Sequence, residues 1–134
     1  VGVGGGQNHR FSLADGILIK DIHIRAAGGI TQAVEAARSR APFTLKIEVE
    51  TETLSQVQEA LDAGADIIML DNMTTEQMRE AVALIGDRAV VEASGNMGQR
   101  DLREVAATGV DCISVGDLTN FVRPLDISLK LNME

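Results

Sequence analysis

The sequence predicts an α/β protein made of parallel βα repeats, arranged as a partial (β/α) barrel of about five to six strands. Three observations carry this expectation. Short apolar runs alternate with Ala-rich segments of helical spacing, the middle runs are apolar on both faces, and the chain repeats itself at an offset of 45 residues. Strands buried on both faces belong to a parallel sheet covered by helices.

The elements follow in order. "GILIK" (16–20) reads as the first strand, and a helix is expected near 30–40. "FTLKIEVE" (43–50) and "ADIIML" (65–70) read as strands with a helical pattern near 54–63 between them. A helix near 75–85, the strand "AVVEAS" (89–94), a helix near 99–107 and the strand "DCISV" (111–115) complete the alternation. After Pro124 comes a sixth apolar segment, "LDISLKLNME", whose pattern permits a strand or a short terminal helix. No linker or low-complexity tract interrupts the chain, so residues 1–134 are expected to form a single domain.

In the repeat, "AGADIIMLDN" (63–72) superimposes on "TGVDCISVGD" (108–117), matching Gly64 with Gly109, Asp66 with Asp111, and Asp71 with Gly116. Each Gly is read as a helix C-cap and each first Asp as the opening of a strand, both structural. In a barrel these residues lie on the face opposite the chemistry, which gathers at the carboxyl ends of the strands. At those ends stand Lys20, Glu50, Asp71, Ser94-Gly95-Asn96 and Gly116-Asp117.

Composition narrows the function classes. Only three of the 134 residues are Phe and none is Trp or Tyr, which leaves little for stacking on bases. The formal charge of −8 argues against a nucleic-acid or anionic membrane surface. An anionic ligand must therefore be held by a local concentration of donors. Cys112, within "CISV", is read as a buried thiol in a reducing compartment, and the cytoplasm is the expected location. No apolar stretch approaches a membrane span, and the start "VGVGGGQNHR" lacks a signal-peptide pattern.

Strand-end carboxylates on neighbouring parallel strands converge, so Glu50 and Asp71 can grip vicinal hydroxyls or a divalent cation; the alternative is acids facing solvent or capping the next helix. "SGN" (94–96) and "VGD" (115–117) offer glycine backbones to a phosphate, or are ordinary turns. Asp117 opposes a phosphate there by its charge. His9, Arg10 and Lys20 together can bind an acidic substrate, with Arg10 suited to a two-point grip on a carboxylate. His9 and His23 also admit a structural reading.

The joint occurrence of "GGGQNHRFSLADGILIKD", "KIEVE", "ADIIMLDN", "EASGN", "TGVDCISVG" and "LDISLKL" closely resembles the C-terminal barrel of quinolinate phosphoribosyltransferase, the nicotinate-nucleotide pyrophosphorylase of NAD biosynthesis. The resemblance implies conversion of quinolinate and phosphoribosyl pyrophosphate to nicotinate mononucleotide, pyrophosphate and carbon dioxide, with Mg²⁺. It implies that His9 and Arg10 hold the quinolinate carboxylates and that Lys20 lies near a substrate carboxylate and the pyrophosphate. Glu50 and Asp71 would hold the ribose hydroxyls directly or through Mg²⁺, and Ser94, Gly95, Asn96 and Gly116 the 5′-phosphate.

Two positions depart from the family pattern: Ile22 stands where Asn is usual, and "GDLTN" (116–120) brings in Asp117 and lacks the usual basic or imidazole group. The 134 residues also contain neither the family's N-terminal sandwich domain nor its first barrel strand with a Thr-Arg-Lys-Thr motif. The isolated chain is therefore expected to be inactive, and the alternative reading is a truncated or engineered scaffold. Open sheet edges lead to the expectation of a homo-oligomer or of relaxation to a flavodoxin-like open sheet.

Overall fold

The computed structural model describes residues 1–131. Five strands, β1 (Ile17–Ile19), β2 (Ile47–Thr51), β3 (Ile67–Asp71), β4 (Val90–Ser94) and β5 (Cys112–Ile113), form one sheet in which every neighbouring pair is parallel. Between them run α1 (Asp21–Ala27), α2 (Ile30–Arg40), α3 (Leu54–Asp62), α4 (Thr75–Ile85) and α5 (Leu102–Ala106), and α6 (Asp117–Asn120) follows β5. The sheet is open. Its order is sequential, β1-β2-β3-β4-β5, which is the order of a barrel wall and not the 2-1-3-4-5 of a flavodoxin-like sheet.

The period-2 alternation of the strands decides where the core sits. Ile47 and Val49, Ile68 and Leu70, and Val91 and Ala93 point to the helical layer, where they meet Val34, Val57, Ala60, Met78, Ala81, Ile85 and Val105. Helix starts are satisfied locally. Thr53 and Thr74 accept the Gln56 and Gln77 amides, and Gln77 reciprocates to the Thr74 N–H at 2.9 Å. α1 was not expected from the sequence; it is held at its start by His23, whose Nδ1 accepts the Lys20 N–H at 2.9 Å. That contact gives His23 a structural role at the helix start.

The repeat has a physical basis. Asp66 Oδ2 accepts the Ile47 N–H at 2.7 Å and pairs with Arg38 at 2.9 Å, while Asp111 Oδ2 accepts the Val91 N–H at 2.8 Å. Each Asp thus anchors the start of the strand preceding its own and fixes the register between them. Asp66→Ala is expected to cost about 2 kcal/mol in urea unfolding, the scale of a charge-assisted hydrogen bond lost from a part-buried amide. Unchanged stability would show that register is set elsewhere.

Two expectations fail. Cys112 is exposed, because it lies on an edge strand and points to the face that no helix covers. The closing segment forms neither strand nor helix over residues 121–131, and Leu125, Ile127, Leu129 and Leu131 are exposed. It has the alternation of a strand but pairs with no edge among the described residues; its last three residues, 132–134, lie outside them.

Candidate active site at the strand carboxyl ends

Because all five strands run the same way, the residues at their carboxyl ends share one rim. Lys20 follows β1, Glu50 sits near the end of β2, Asp71 ends β3, Ser94 ends β4, and Gly116 lies beyond β5. Lys20 Nζ stands 3.6 Å from Glu50 Oε2. Asp71 and Ser94 are direct partners across the β3–β4 ladder. Burial pushes the Glu50 carboxyl above its usual range; Lys20 offsets part of that, and the charge of Asp71 adds to it. The two acids thus feel one another.

The loops beyond β3 and β4 are tied by a side-chain relay that sequence reasoning missed. Asn96 Nδ2 donates to Asn72 Oδ1 at 2.9 Å, and Asn72 Nδ2 donates to Asp71 Oδ2 at 2.8 Å. Asn72 and Asn96 both adopt left-handed backbone, with φ of 54° and 52°, a conformation Asn tolerates better than most residues. The "DN" and "GN" pairs were the available signal. Gly95, at φ 87°, passes so close to Asn72 that a Cβ would lie 2.7 Å from the Asn72 nitrogen. The backbone amides of Gly95, Asn96 and Gly116 donate to no acceptor among the described residues. Asp117 packs against Gly98, which brings the loops beyond β4 and β5 together.

His9 and Arg10 line one cavity but make different polar contacts. The segment before β1 crosses the helix-free face of the sheet, and His9 Nε2 comes to rest 3.1 Å from Glu48 Oε2 and 3.4 Å from Glu92 Oε2. Arg10 lies nearer the amino ends of the strands, where its Nη1 donates to the Gly16 carbonyl at 3.0 Å and it lines a cavity of about 500 Å³ with Lys46 and Ile67. His9 also borders a cavity of about 380 Å³ toward the rim, lined by Glu92, Ser94, Ser114 and Gly116. The structure therefore brings His9, Ser94 and Gly116 to one cavity, and Lys20, Glu50 and Asp71 to the adjoining stretch of rim. Arg10 shares the 500 Å³ cavity with His9 but does not line the one that holds Ser94 and Gly116. Glu48 and Glu92 were absent from the sequence-based candidates; the signal for Glu48 was its place two residues before Glu50, on the same face of a strand.

A family profile described as "Quinolinate phosphoribosyl transferase, C-terminal domain" matches residues 1–130. The chain belongs to this family. It is 46% identical over 133 residues to the probable nicotinate-nucleotide pyrophosphorylase [carboxylating] of Bacillus subtilis (strain 168), covering 99% of this chain and 46% of that protein. It is 41% identical over 132 residues to the nicotinate-nucleotide pyrophosphorylase [carboxylating] of Homo sapiens, covering 96% of this chain and 44% of the human protein. The crystal structure of NadC from Streptococcus pyogenes superimposes with a TM-score of 0.84 at 46% identity, covering 96% of this chain and 45% of that one. The chain thus spans about half the length of the relatives it matches. The five-stranded parallel sheet is the barrel wall of a quinolinate phosphoribosyl transferase C-terminal domain, and no helix among the described residues is long and apolar enough to cross a membrane.

Proposed function

We propose that this domain supplies the strand-end part of a quinolinate phosphoribosyltransferase site. The reaction joins the ring nitrogen of quinolinate to the anomeric carbon of phosphoribosyl pyrophosphate, breaks the bond to pyrophosphate, and releases one carboxyl group as carbon dioxide. The observation that carries this reading is the gathering at one rim of Lys20, Glu50 and Asp71 with the unbonded amides of Gly95, Asn96 and Gly116. Carboxylates suit ribose hydroxyls, and the negative charge of Glu50 and Asp71 favours the positive charge that develops on the ribose ring as pyrophosphate departs. Free amides suit the 5′-phosphate. Lys20, half-exposed, can turn from Glu50 toward the pyrophosphate.

Mg²⁺ fits this donor set, because Glu50 and Asp71 are adjacent hard oxygen ligands whose mutual repulsion a cation would relieve. When bound there it would neutralise charge on the phosphoribosyl substrate. His9 borders the same cavity as Ser94 and Gly116, which supports a role in holding a quinolinate carboxylate. Arg10 can join it only by leaving the Gly16 carbonyl. A cytoplasmic location accords with these substrates.

Calorimetric titration with phosphoribosyl pyrophosphate and Mg²⁺ tests the reading. Binding is expected, weakened about tenfold or more by Glu50→Ala or Asp71→Ala and tightened by Asp117→Ala, which removes a like charge near the phosphate. No detectable heat at millimolar ligand would favour the scaffold reading. We also propose that the chain self-associates, since Phe11, Leu13, Phe43, Phe121 and Val122 are exposed and the sheet has two open edges. Size-exclusion with light scattering is expected to give an oligomer; a monodisperse monomer refutes this.

A further inference from the structure

We propose that His9, Glu48 and Glu92 form a binding site for one divalent transition-metal ion, Zn²⁺ in the first instance, on the helix-free face of the sheet and separate from the rim carboxylates. One ligand atom from each of the three residues lies within 4.8 Å of the other two. Atoms bound to one zinc at about 2.0–2.2 Å stand roughly 3–3.6 Å apart, so small side-chain movements close the set. The two carboxylates project from rigid positions: Glu48 of β2 and Glu92 of β4 flank β3, paired with Ile67 and Met69 respectively. His9 completes the set from the crossing segment. It borders the cavities on both sides, which gives an ion a path in.

The second observation is what the carboxylates lack. Glu48 is 4% exposed and Glu92 5%, yet Oε1 of each is buried with no hydrogen-bond partner. Buried carboxylate oxygens without partners are costly and demand a ligand or a proton. Among the described residues the only basic side chain within ion-pair distance of either acid is that of His9, and no Lys or Arg pairs with them. A divalent ion would offset the charge of the two carboxylates and supply the partner that their orphaned oxygens lack. One nitrogen and two oxygen donors favour Zn²⁺ or Mn²⁺ over Mg²⁺ or Ca²⁺, which prefer all-oxygen sites.

The test uses the chain after treatment with chelator. Calorimetry and thermal melting with ZnCl₂ are expected to show one tightly held equivalent that raises Tm, and MnCl₂ is expected to bind the same site more weakly. The paired substitution Glu48→Gln and Glu92→Gln is expected to loosen Zn²⁺ at least a hundredfold; both changes remove buried charge, so the variant should fold. Asp71→Ala and Cys112→Ser are expected to retain Zn²⁺ with affinity within about threefold. The proposal is overturned by absence of binding to the parent chain, by a loss smaller than tenfold in the Gln pair, or by a tenfold loss in either control. The third outcome would place the ion at the rim or on the exposed thiol. None of these three outcomes bears on phosphoribosyl pyrophosphate binding, which is measured separately.

Discussion

In chelator-treated protein the free energy of unfolding is expected to fall as pH rises from about 5 to 8, and Glu48→Gln is expected to flatten that fall. Burial, and then the charge of Glu92, push the Glu48 carboxyl from its ordinary 4.5 up to about 7 against the opposing pull of His9. Between those two values the folded chain holds a proton that the unfolded chain has released. Stability from this group is therefore fully present below pH 4.5 and is lost as pH passes through about 7. At 1.36 kcal/mol per pH unit the displacement is worth roughly 3 kcal/mol, a large share of a small domain's stability. Urea unfolding at intervals across this range measures it. A parent curve that is flat or rises, or a Glu48→Gln curve that falls as steeply as the parent's, would remove Glu48 as the cause. The groups that face Glu48 are Glu92 and His9, with Cys112 beside Glu92 on β5.

Gly95→Ala is expected to destabilise the chain by roughly 3 kcal/mol and to abolish phosphate-ester binding at the rim, while Gly116→Ala leaves stability within about 0.5 kcal/mol. Gly95 stands at φ 87°, and an added Cβ would lie 2.7 Å from the backbone nitrogen of Asn72, which cannot retreat without breaking its bond to the Ser94 carbonyl. Left-handed strain alone costs about 1–2 kcal/mol, and the backbone clash adds to it. At Gly116 the backbone is ordinary, with φ −62°, and the nearest atom to a Cβ is the movable Asn120 Nδ2 at 3.4 Å. Chemical unfolding and a titration with phosphoribosyl pyrophosphate read the two effects separately. Equal stability of the two variants would show that the rim at Gly95 relaxes freely.

The alternation of β1 to β5 with α2 to α5 could be read from the chain because the periods of 2 and 3.6 are local, and a parallel sheet then places every strand end on one rim. Glu50, Asp71, Ser94 and Gly116 followed from that geometry. Helix α1 escaped notice because it buries no residue, so it lacks the apolar stripe that marks a helix in sequence. Cys112 was misjudged because an apolar run of strand type does not say whether it lies at the edge of the sheet. The closing segment has the right alternation for a strand, but alternation does not record whether a segment reaches one of the open sheet edges.

Sequence alone determined the βα order, the place of Asp66 and Asp111 at the opening of their strands and which residues stand at the strand ends, since each depends on local periodicity or on strand direction; that the two Asp side chains anchor the preceding strand was decided by the tertiary structure. Tertiary structure alone decided that the glycine-rich start crosses the uncovered face, seating His9 between Glu48 and Glu92 and leaving Arg10 at the opposite mouth. A segment without periodicity carries no local record of where it lies. Its course is set by the charge and shape of a surface formed from strands 39 and 83 residues further along, at Glu48 and Glu92.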